Sequence, residues 1–346
     1  MIFKINNKII NPSSKTFIIA ELSGNHNHNF DIAVKSLEAI KKTGADAVKL
    51  QTYTADTITI KSNNKYFQIK EGLWKGKTLY ELYSEAHTPW EWQPKLKKIA
   101  DKLGLILFSS PFDKSAVDLL EKIKVPAYKV ASFEINDLEL IKYIASKKKP
   151  IIISTGIATL PEIYEAIKVC EPLGKENIAL LKCTSAYPAP YEEVNLLTIP
   201  NINDTFGTIV GLSDHTLGIS IPIAAITLGA KIVEKHFILD KSIKGPDSEF
   251  SIDPNEFKQM VDSIRQVEKA LGSVTYDLTD KVKKNRIFKR SLFIIKDIKK
   301  GNTFTRNNIR SIRPGYGISP KYIDSVLGKK AKKNINKGTP LTWDFI

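Results

Sequence analysis

Two histidines end two successive apolar runs of this 346-residue chain: His215 closes TIVGLSDH (208–215) and His236 stands near the end of KIVEKHF (231–237). Each follows a polar residue by two positions, Ser213 and Glu234, and side chains two apart on a strand share a face. The same spacing links Glu21 with Ser23 in FIIAELSG (17–24), Lys49 with Gln51 in AVKLQT (47–52), and Ser185 with Tyr187 in IALLKCTSAYP (178–188). Ser110 sits in LILFSSPF (105–112) and Ser154 in PIIISTG (150–156). Lys129, Ser132 and Glu134 in AYKVASFE (127–134) do not share parity, so that strand must end or bulge between them. Two lysines among several serines form an anion cradle suited to phosphate plus carboxylate. Two imidazoles with Glu21 and Glu234 nearby suit an exchangeable divalent metal of the Mn²⁺ kind, which accepts imidazole, carboxylate and water.

Each group also has a plainer reading. One histidine at a strand end is ordinarily structural; two at matching positions on neighbouring strands leave a structural pair and a ligand pair as equal readings. Lys49 or Lys129 alone reads as a solvated side chain, and serines are common at strand ends and N-caps. In the loop His26-Asn27-His28, His26 is expected to face the site and His28 to face solvent. Cys183 reads as core. GLWKGKT (72–78) is not a P-loop, because three residues rather than four separate its glycines and no strand precedes it.

The elements that must position these residues alternate. Eight short apolar runs recur through residues 17–237, separated mostly by stretches of helical spacing such as Ile32, Val34, Leu37 and Ile40, or Leu138, Ile141 and Ile144. Thr159, followed by Leu160, Pro161 and Glu162, marks a helix start, and Gly44, Gly104 and Gly229 mark helix stops. Strand–helix alternation implies a parallel sheet, and eight units imply an α/β fold of the closed (β/α)₈ TIM-barrel type, whose sites form at the C-terminal strand ends. An open doubly wound sheet is the alternative, but ELSGNHNHN offers one glycine where a nucleotide turn needs several. Converging charges at one rim demand a polar ligand, since a buried charge without a partner is prohibitively costly. Residues 53–87 form a connection too long for an ordinary βα loop and too apolar for disorder, so a lid or an interface is expected there. A polar connector, about 273–288, divides a barrel domain (1–280) from a small module (281–346) of short strands and turns. That module contains two K-x-I-x-K-G units, Lys296–Gly301 and Lys333–Gly338.

Composition fits a globular protein with ample material for a core, with 42 % hydrophobic and 26 % charged residues. Net charge is +15, yet residues 281–346 hold 18 basic residues against three acidic ones, leaving the body balanced. A small basic end can grip a polyanion, but its aromatics are dispersed among core-like aliphatics, so no nucleic acid is expected. No apolar run of about 18 residues exists, so no membrane span is expected. Two cysteines and no secretory leader fit a reducing cytoplasm.

The strand ends AELSGNHN, KLQTY, FSSPFD, YKVASFE, STGIAT, CTSAYP, GLSDHT, EKHF and KGPDSEFS resemble, in order, the motifs of the sialic acid (nonulosonic acid) synthase family, and the basic tail resembles its antifreeze-like (SAF) domain. The opening ELSGNHN and the insertion KEGLWKGKTLYELYSEAHTPWEW are most similar to the family's pseudaminic acid branch. The resemblance implies condensation of phosphoenolpyruvate with the open-chain aldehyde of 2,4-diacetamido-2,4,6-trideoxy-altropyranose, giving pseudaminic acid and phosphate by C–O cleavage. The alternative is an N-acetylneuraminic or legionaminic acid synthase acting on an N-acetylmannosamine-type sugar. It further implies that Lys49, Ser110, Lys129, Ser132, Ser154, Ser185 and Ser213 hold phosphoenolpyruvate, with Ser185 standing where many sialic acid synthases have asparagine. His215 and His236 would bind the divalent metal, Mn²⁺ or Mg²⁺. Gln51, Glu134, Tyr187 and Asp247 would face the sugar, Glu21 and His236 the reacting centre. Arg313 matches an arginine that reaches into the partner's barrel of a domain-swapped homodimer. Two rivals are 3-deoxy sugar-phosphate synthases, which lack the basic tail, and an inert barrel carrying a polyanion-binding module.

Overall fold

The computed structural model describes residues 2–346. A hairpin, β1 (Phe3–Ile5) and β2 (Lys8–Ile10), precedes eight parallel strands: β3 (Phe17–Glu21), β4 (Ala47–Thr52), β5 (Ile106–Pro111), β6 (Tyr128–Val130), β7 (Ile151–Ser154), β8 (Ile178–Cys183), β9 (Ile209–Asp214) and β10 (Ile232–His236). They close in the order β10-β3-β4-β5-β6-β7-β8-β9, so the barrel is complete and the open-sheet alternative is excluded. Closure leaves no edge strand.

Helices alternate with the strands: α1 (Phe30–Thr43), α2 (Ala55–Ile58), α3 (Leu79–Ala86), α4 (Gln93–Leu103), α5 (Lys114–Lys122), α6 (Leu138–Ala145), α7 (Leu160–Val169), α8 (Thr198–Phe206), α9 (Ser220–Thr227) and α10 (Pro254–Leu271). Their ends follow local chemistry. Asn29 caps α1 by accepting from Ile32 N, and Gly44 ends it in the left-handed region at φ 86°. Thr159 and Glu162 form a reciprocal capping box on α7, as that spacing predicts. Buried positions of α1, Ala33, Leu37 and Ile40, pack into the same core as Ile18, Val48, Leu107 and Ile152 of the strands. Phe3, Ile5 and Ile10 join that core, and Lys8 pairs at 2.9 Å with Asp46, just ahead of β4. The hairpin therefore covers the N-terminal end, leaving the C-terminal rim for chemistry.

Register sets the rim. His236 stands opposite Glu21, Glu21 opposite Lys49, Glu234 opposite Ser213 and Gln51 opposite Ser110. Behind β9 and β10, on the alternate parity, Lys235 pairs with Asp214 and donates to Thr216 O at 2.6 Å. Asp214 accepts from the Thr216 hydroxyl and amide at 2.9 and 3.2 Å. Both charges are fully buried. Removing one partner strands the other in a low-dielectric interior, so Lys235→Met is expected to lower unfolding free energy by about 3–5 kcal/mol, read from denaturant midpoints.

The chain divides into two compact units at Gly272/Ser273. The second contains the antiparallel pair β11 (Ser291–Ile294) and β12 (Ile309–Ile312) and its own core of Leu292, Ile298, Phe304, Ile335 and Leu341. Its two K-x-I-x-K-G units pair with one another. Ile298 and Ile335 exchange backbone hydrogen bonds at 2.9 and 2.8 Å, and Asp297 and Asn334 each accept an amide of the other unit, from Lys337 and Lys300. Among the described residues no helix is long and apolar enough to cross a membrane.

Candidate active site

The barrel rim gathers the charges that alternation assigned to one face. Lys49 Nζ lies 3.1 Å from Glu21 and 2.8 Å from Glu234, all three buried. Gln51 donates to Glu21 and to Ser23 at 3.0 Å, Ser23 donates to Asp247, and Ser213 donates to Glu234 at 3.3 Å. Burial pushes the Glu21 carboxyl up to about 7 despite Lys49 beside it. Burial also acts on Glu234, but Lys49 and then Lys129 outweigh it and hold that carboxyl below its ordinary range. Two neighbouring carboxylates thus take different protonation tendencies, the arrangement that separates acid from base roles.

A second cluster surrounds Lys129, whose ammonium donates to Ser154 at 2.6 Å and to Val130 O at 2.8 Å. Burial brings it down to about 8. Ser185 donates to Ser132 at 2.9 Å, Ser132 accepts the Ile157 amide at 3.0 Å, and the buried Ser110 hydroxyl has no protein partner. Gly156, which sequence reasoning passed over, packs against these hydroxyls. A Cβ there would run into Ser185 Oγ and lie 2.8 Å from Ser132 Oγ. Gly156→Ala is therefore expected to swing both serines aside, raising KM for an anionic substrate about tenfold or more while thermal stability changes little.

His215 and His236 come together with ring centroids 5.4 Å apart. His215 Nδ1 lies 2.9 Å from Thr184 O, so Nδ1 carries a proton and Nε2 is the nitrogen left to face a ligand. Burial and the neighbouring His215 hold His236 well below its ordinary range, keeping it neutral, and its buried Nδ1 has no protein partner. Burial acts on His215 too, but the Cys183 thiol and the Thr184 carbonyl outweigh it and raise that imidazole above its ordinary range. His236 is thus the ready ligand, and His215 would join it at a divalent ion on giving up its Nε2 proton. Among the described residues no cluster of three or more His, Cys, Asp or Glu is arranged to hold one, so water and substrate would complete the coordination.

Over the rim lies a cavity of about 310 Å³. Gln51, Ser132, Glu134, Tyr187, His236 and Asp247 line it, as do Tyr53, Ile58, Trp74, Leu82, Tyr83 and Phe112. The 53–87 insertion therefore walls the site, and Trp74 fastens it by donating from Nε1 to Pro246 O at 2.8 Å. Burial pushes Glu134 up to about 7, and its Oε2 has no protein partner. Asp247 is also raised by burial, which outweighs its bond from Ser23.

Several expectations need correction. Ser185 and Tyr187 are not strand residues, because β8 ends at Cys183; they reach the site from the following loop. Ser23 likewise lies beyond β3, in a left-handed turn at φ 48°. The parity conflict in AYKVASFE resolves because β6 stops at Val130 and Ser132–Glu134 form a 3₁₀ turn. His26 does not face the cavity. It is buried, with Nε2 3.0 Å from Thr88 Oγ1 and its ring edge-on to Trp92. Cys183 is buried as expected but also lies 3.9 Å from His215 Nδ1. Arg313 is exposed in the second unit. Tyr53, Trp74, Tyr83 and Phe112 were missed; Tyr53 directly follows the strand run KLQT, the one local signal for any of them.

Residues 36–276 match the NeuB family and residues 289–346 match the SAF domain. The chain is 49 % identical over 334 residues to the pseudaminic acid synthase of Campylobacter jejuni, covering 96 % of each protein. It is 50 % identical over 330 residues to that of Helicobacter pylori, covering 95 % of this chain and 97 % of the relative. The crystal structure of the Bacillus subtilis spore coat polysaccharide biosynthesis protein SpsE superposes with a TM-score of 0.68 at 33 % identity, over 100 % of this chain and 99 % of that one. This chain belongs to the NeuB family.

Proposed function

We infer that this chain condenses phosphoenolpyruvate with the open-chain aldehyde of 2,4-diacetamido-2,4,6-trideoxy-altropyranose, forming pseudaminic acid and releasing phosphate. One observation carries the reading: Lys49, Lys129, Glu21, Glu134 and two adjacent imidazoles meet around one rim beneath a walled cavity. The identity of the sugar rests on the two pseudaminic acid synthases to which the chain is similar.

The residues then divide the work. Lys49 and Lys129 neutralise the phosphate and carboxylate of phosphoenolpyruvate, and Ser110, Ser132, Ser154, Ser185 and Ser213 orient them. Gln51, Tyr187 and Asp247 hold the sugar so that its C1 faces C3 of phosphoenolpyruvate. As that C–C bond forms, C2 becomes electron-poor and the aldehyde oxygen electron-rich. Glu21 takes a proton from the water whose oxygen bonds C2, and its carboxylate favours the positive character there. Glu134, half protonated near pH 7, gives its proton to the aldehyde oxygen. The C2 hydroxyl then closes to the keto group as the C2–O bond to phosphate breaks; the bond's electron pair leaves with phosphate, which takes up the hydroxyl proton. A divalent ion, Mn²⁺ or Mg²⁺, would be held by His215 and His236 and would supply Lewis acidity toward the aldehyde.

His236→Ala is expected to abolish Mn²⁺ binding in a calorimetric titration and turnover with it; full turnover after replacing both histidines would refute their assignment. Arg313 of one copy completes the sugar site of a second, in a cytoplasmic homodimer; its exposure on a module with its own core supports this. Phosphate release should occur with the diacetamido-trideoxy sugar in preference to N-acetylmannosamine. Release with N-acetylmannosamine alone, or only with phosphorylated sugars, would overturn the reading.

A further inference from the structure

We propose that the insertion selects the deoxygenated end of the sugar: Ile58 and Leu82, with Phe112 after β5, form the subsite for the C6 methyl group. The proposal rests on the sugar assignment above and concerns the part of the cavity that assignment leaves empty.

The cavity is chemically two-sided. Its floor consists of strand-end residues, Gln51, Glu134 and His236, continuous with the buried Lys49–Glu21–Glu234 cluster. Its roof comes from the insertion, where Ile58 and Leu82 offer neither donor nor acceptor; the hydroxyls the insertion does supply, on Tyr53 and Tyr83, lie within the influence of the carboxylates of Asp247 and Glu134, on the polar side. Trp74 has a donor, but Nε1 is already bonded to Pro246 O. Phe112 and Tyr83 both pack around Tyr53, with centroids 5.0 and 5.6 Å from its ring, forming an aromatic wall beside these aliphatics.

The direction of the sugar follows from the reaction. C1 must meet C3 of phosphoenolpyruvate, whose charges only the floor can neutralise. An open-chain hexose bound through C1 at the floor carries C6 away from it, toward the roof. A methyl group there sheds water at no polar cost. A hydroxyl at C6 would lose its hydrogen bonds to water and find no replacement on Ile58 or Leu82. A hydrophobic pocket rejects an added hydroxyl by roughly 10²-fold at most, so the roof is expected to discriminate by about 10–100-fold.

The experiment compares kcat/KM for phosphate release by the full-length protein with two sugars, the 2,4-diacetamido-2,4,6-trideoxy sugar and its 6-hydroxy counterpart. The wild type is expected to favour the deoxy sugar by about 10–100-fold. Ile58→Thr, at a half-buried position, is expected to narrow that ratio at least fivefold, chiefly through KM for the hydroxylated sugar, with KM for phosphoenolpyruvate unchanged. Leu82→Asn should act in the same direction. Should the buried Asn destabilise α3, Ile58→Thr alone decides the matter. Equal turnover of both sugars by the wild type, or an unchanged ratio in Ile58→Thr with its phosphoenolpyruvate KM intact, overturns the proposal while leaving the functional reading standing. No turnover of either sugar overturns both.

Discussion

Glu21→Gln is expected to bind phosphoenolpyruvate as the wild type does and to lose kcat by about 10²–10⁴, the usual contribution of a general base. The substitution keeps an acceptor for Gln51 Nε2, now 3.0 Å from the carboxylate, and leaves Lys49 paired with Glu234 at 2.8 Å. The cradle thus retains both ammonium groups, while the carboxyl beside Lys49 that burial poises near 7 can no longer take a proton. Loss of kcat with unaltered phosphoenolpyruvate affinity separates this role from a structural one. Unchanged kinetics would remove Glu21 from the chemistry.

Glu134→Gln carries the other large effect, and it has two signs. Activity should fall by about 10²–10⁴ because the amide cannot give up a proton. Stability should rise at alkaline pH. Burial lifts the folded-state Glu134 to about 7 from its ordinary 4.5, so the folded protein holds a proton that the unfolded chain has released. Its contribution is complete below pH 4.5 and is lost as pH climbs through 7. Above pH 7 the wild type therefore sustains a buried, partly uncompensated carboxylate, costing roughly 2–3 kcal/mol. Glutamine avoids that cost. Denaturant unfolding of both proteins from pH 5 to 8 should show the variant gaining on the wild type across this interval, and parallel curves would contradict the environment assigned to Glu134. A residue kept at the expense of stability belongs to function.

Alternation on regular strands was enough to find Lys49, Gln51, Glu234 and His236, because a period of two leaves no freedom about which face a side chain takes. Periodicity lost its hold where strands stop. Ser23, Ser132, Glu134, Ser185 and Tyr187 all lie past the last ladder pair of their strands, and their placement follows turn geometry instead. Alternation linked Ser23, Ser185 and Tyr187 only by extending strands past their true ends, and Ser132 and Glu134 were nominated by the family motif. His26 was misplaced because a polar residue after a strand can turn toward the mouth or pack behind it; the choice is made by Trp92 and Thr88, distant in sequence. The roof was least legible. Ile58, Trp74 and Leu82 reach the cavity through tertiary contacts of an irregular insertion, and no local pattern encodes which of its apolar residues turn inward. The barrel itself was legible because eight β-branched runs with helical spacers have few other ways to bury both faces of each strand.

The central claim, attack at C2 by water with departure of phosphate, is tested most directly by isotope. Phosphoenolpyruvate carrying ¹⁸O in the bridge between C2 and phosphorus should, with the diacetamido sugar present, deliver that label entirely to inorganic phosphate. Retention of the label in the nine-carbon product, or label-bearing phosphate released at equal rate without any sugar, would contradict it.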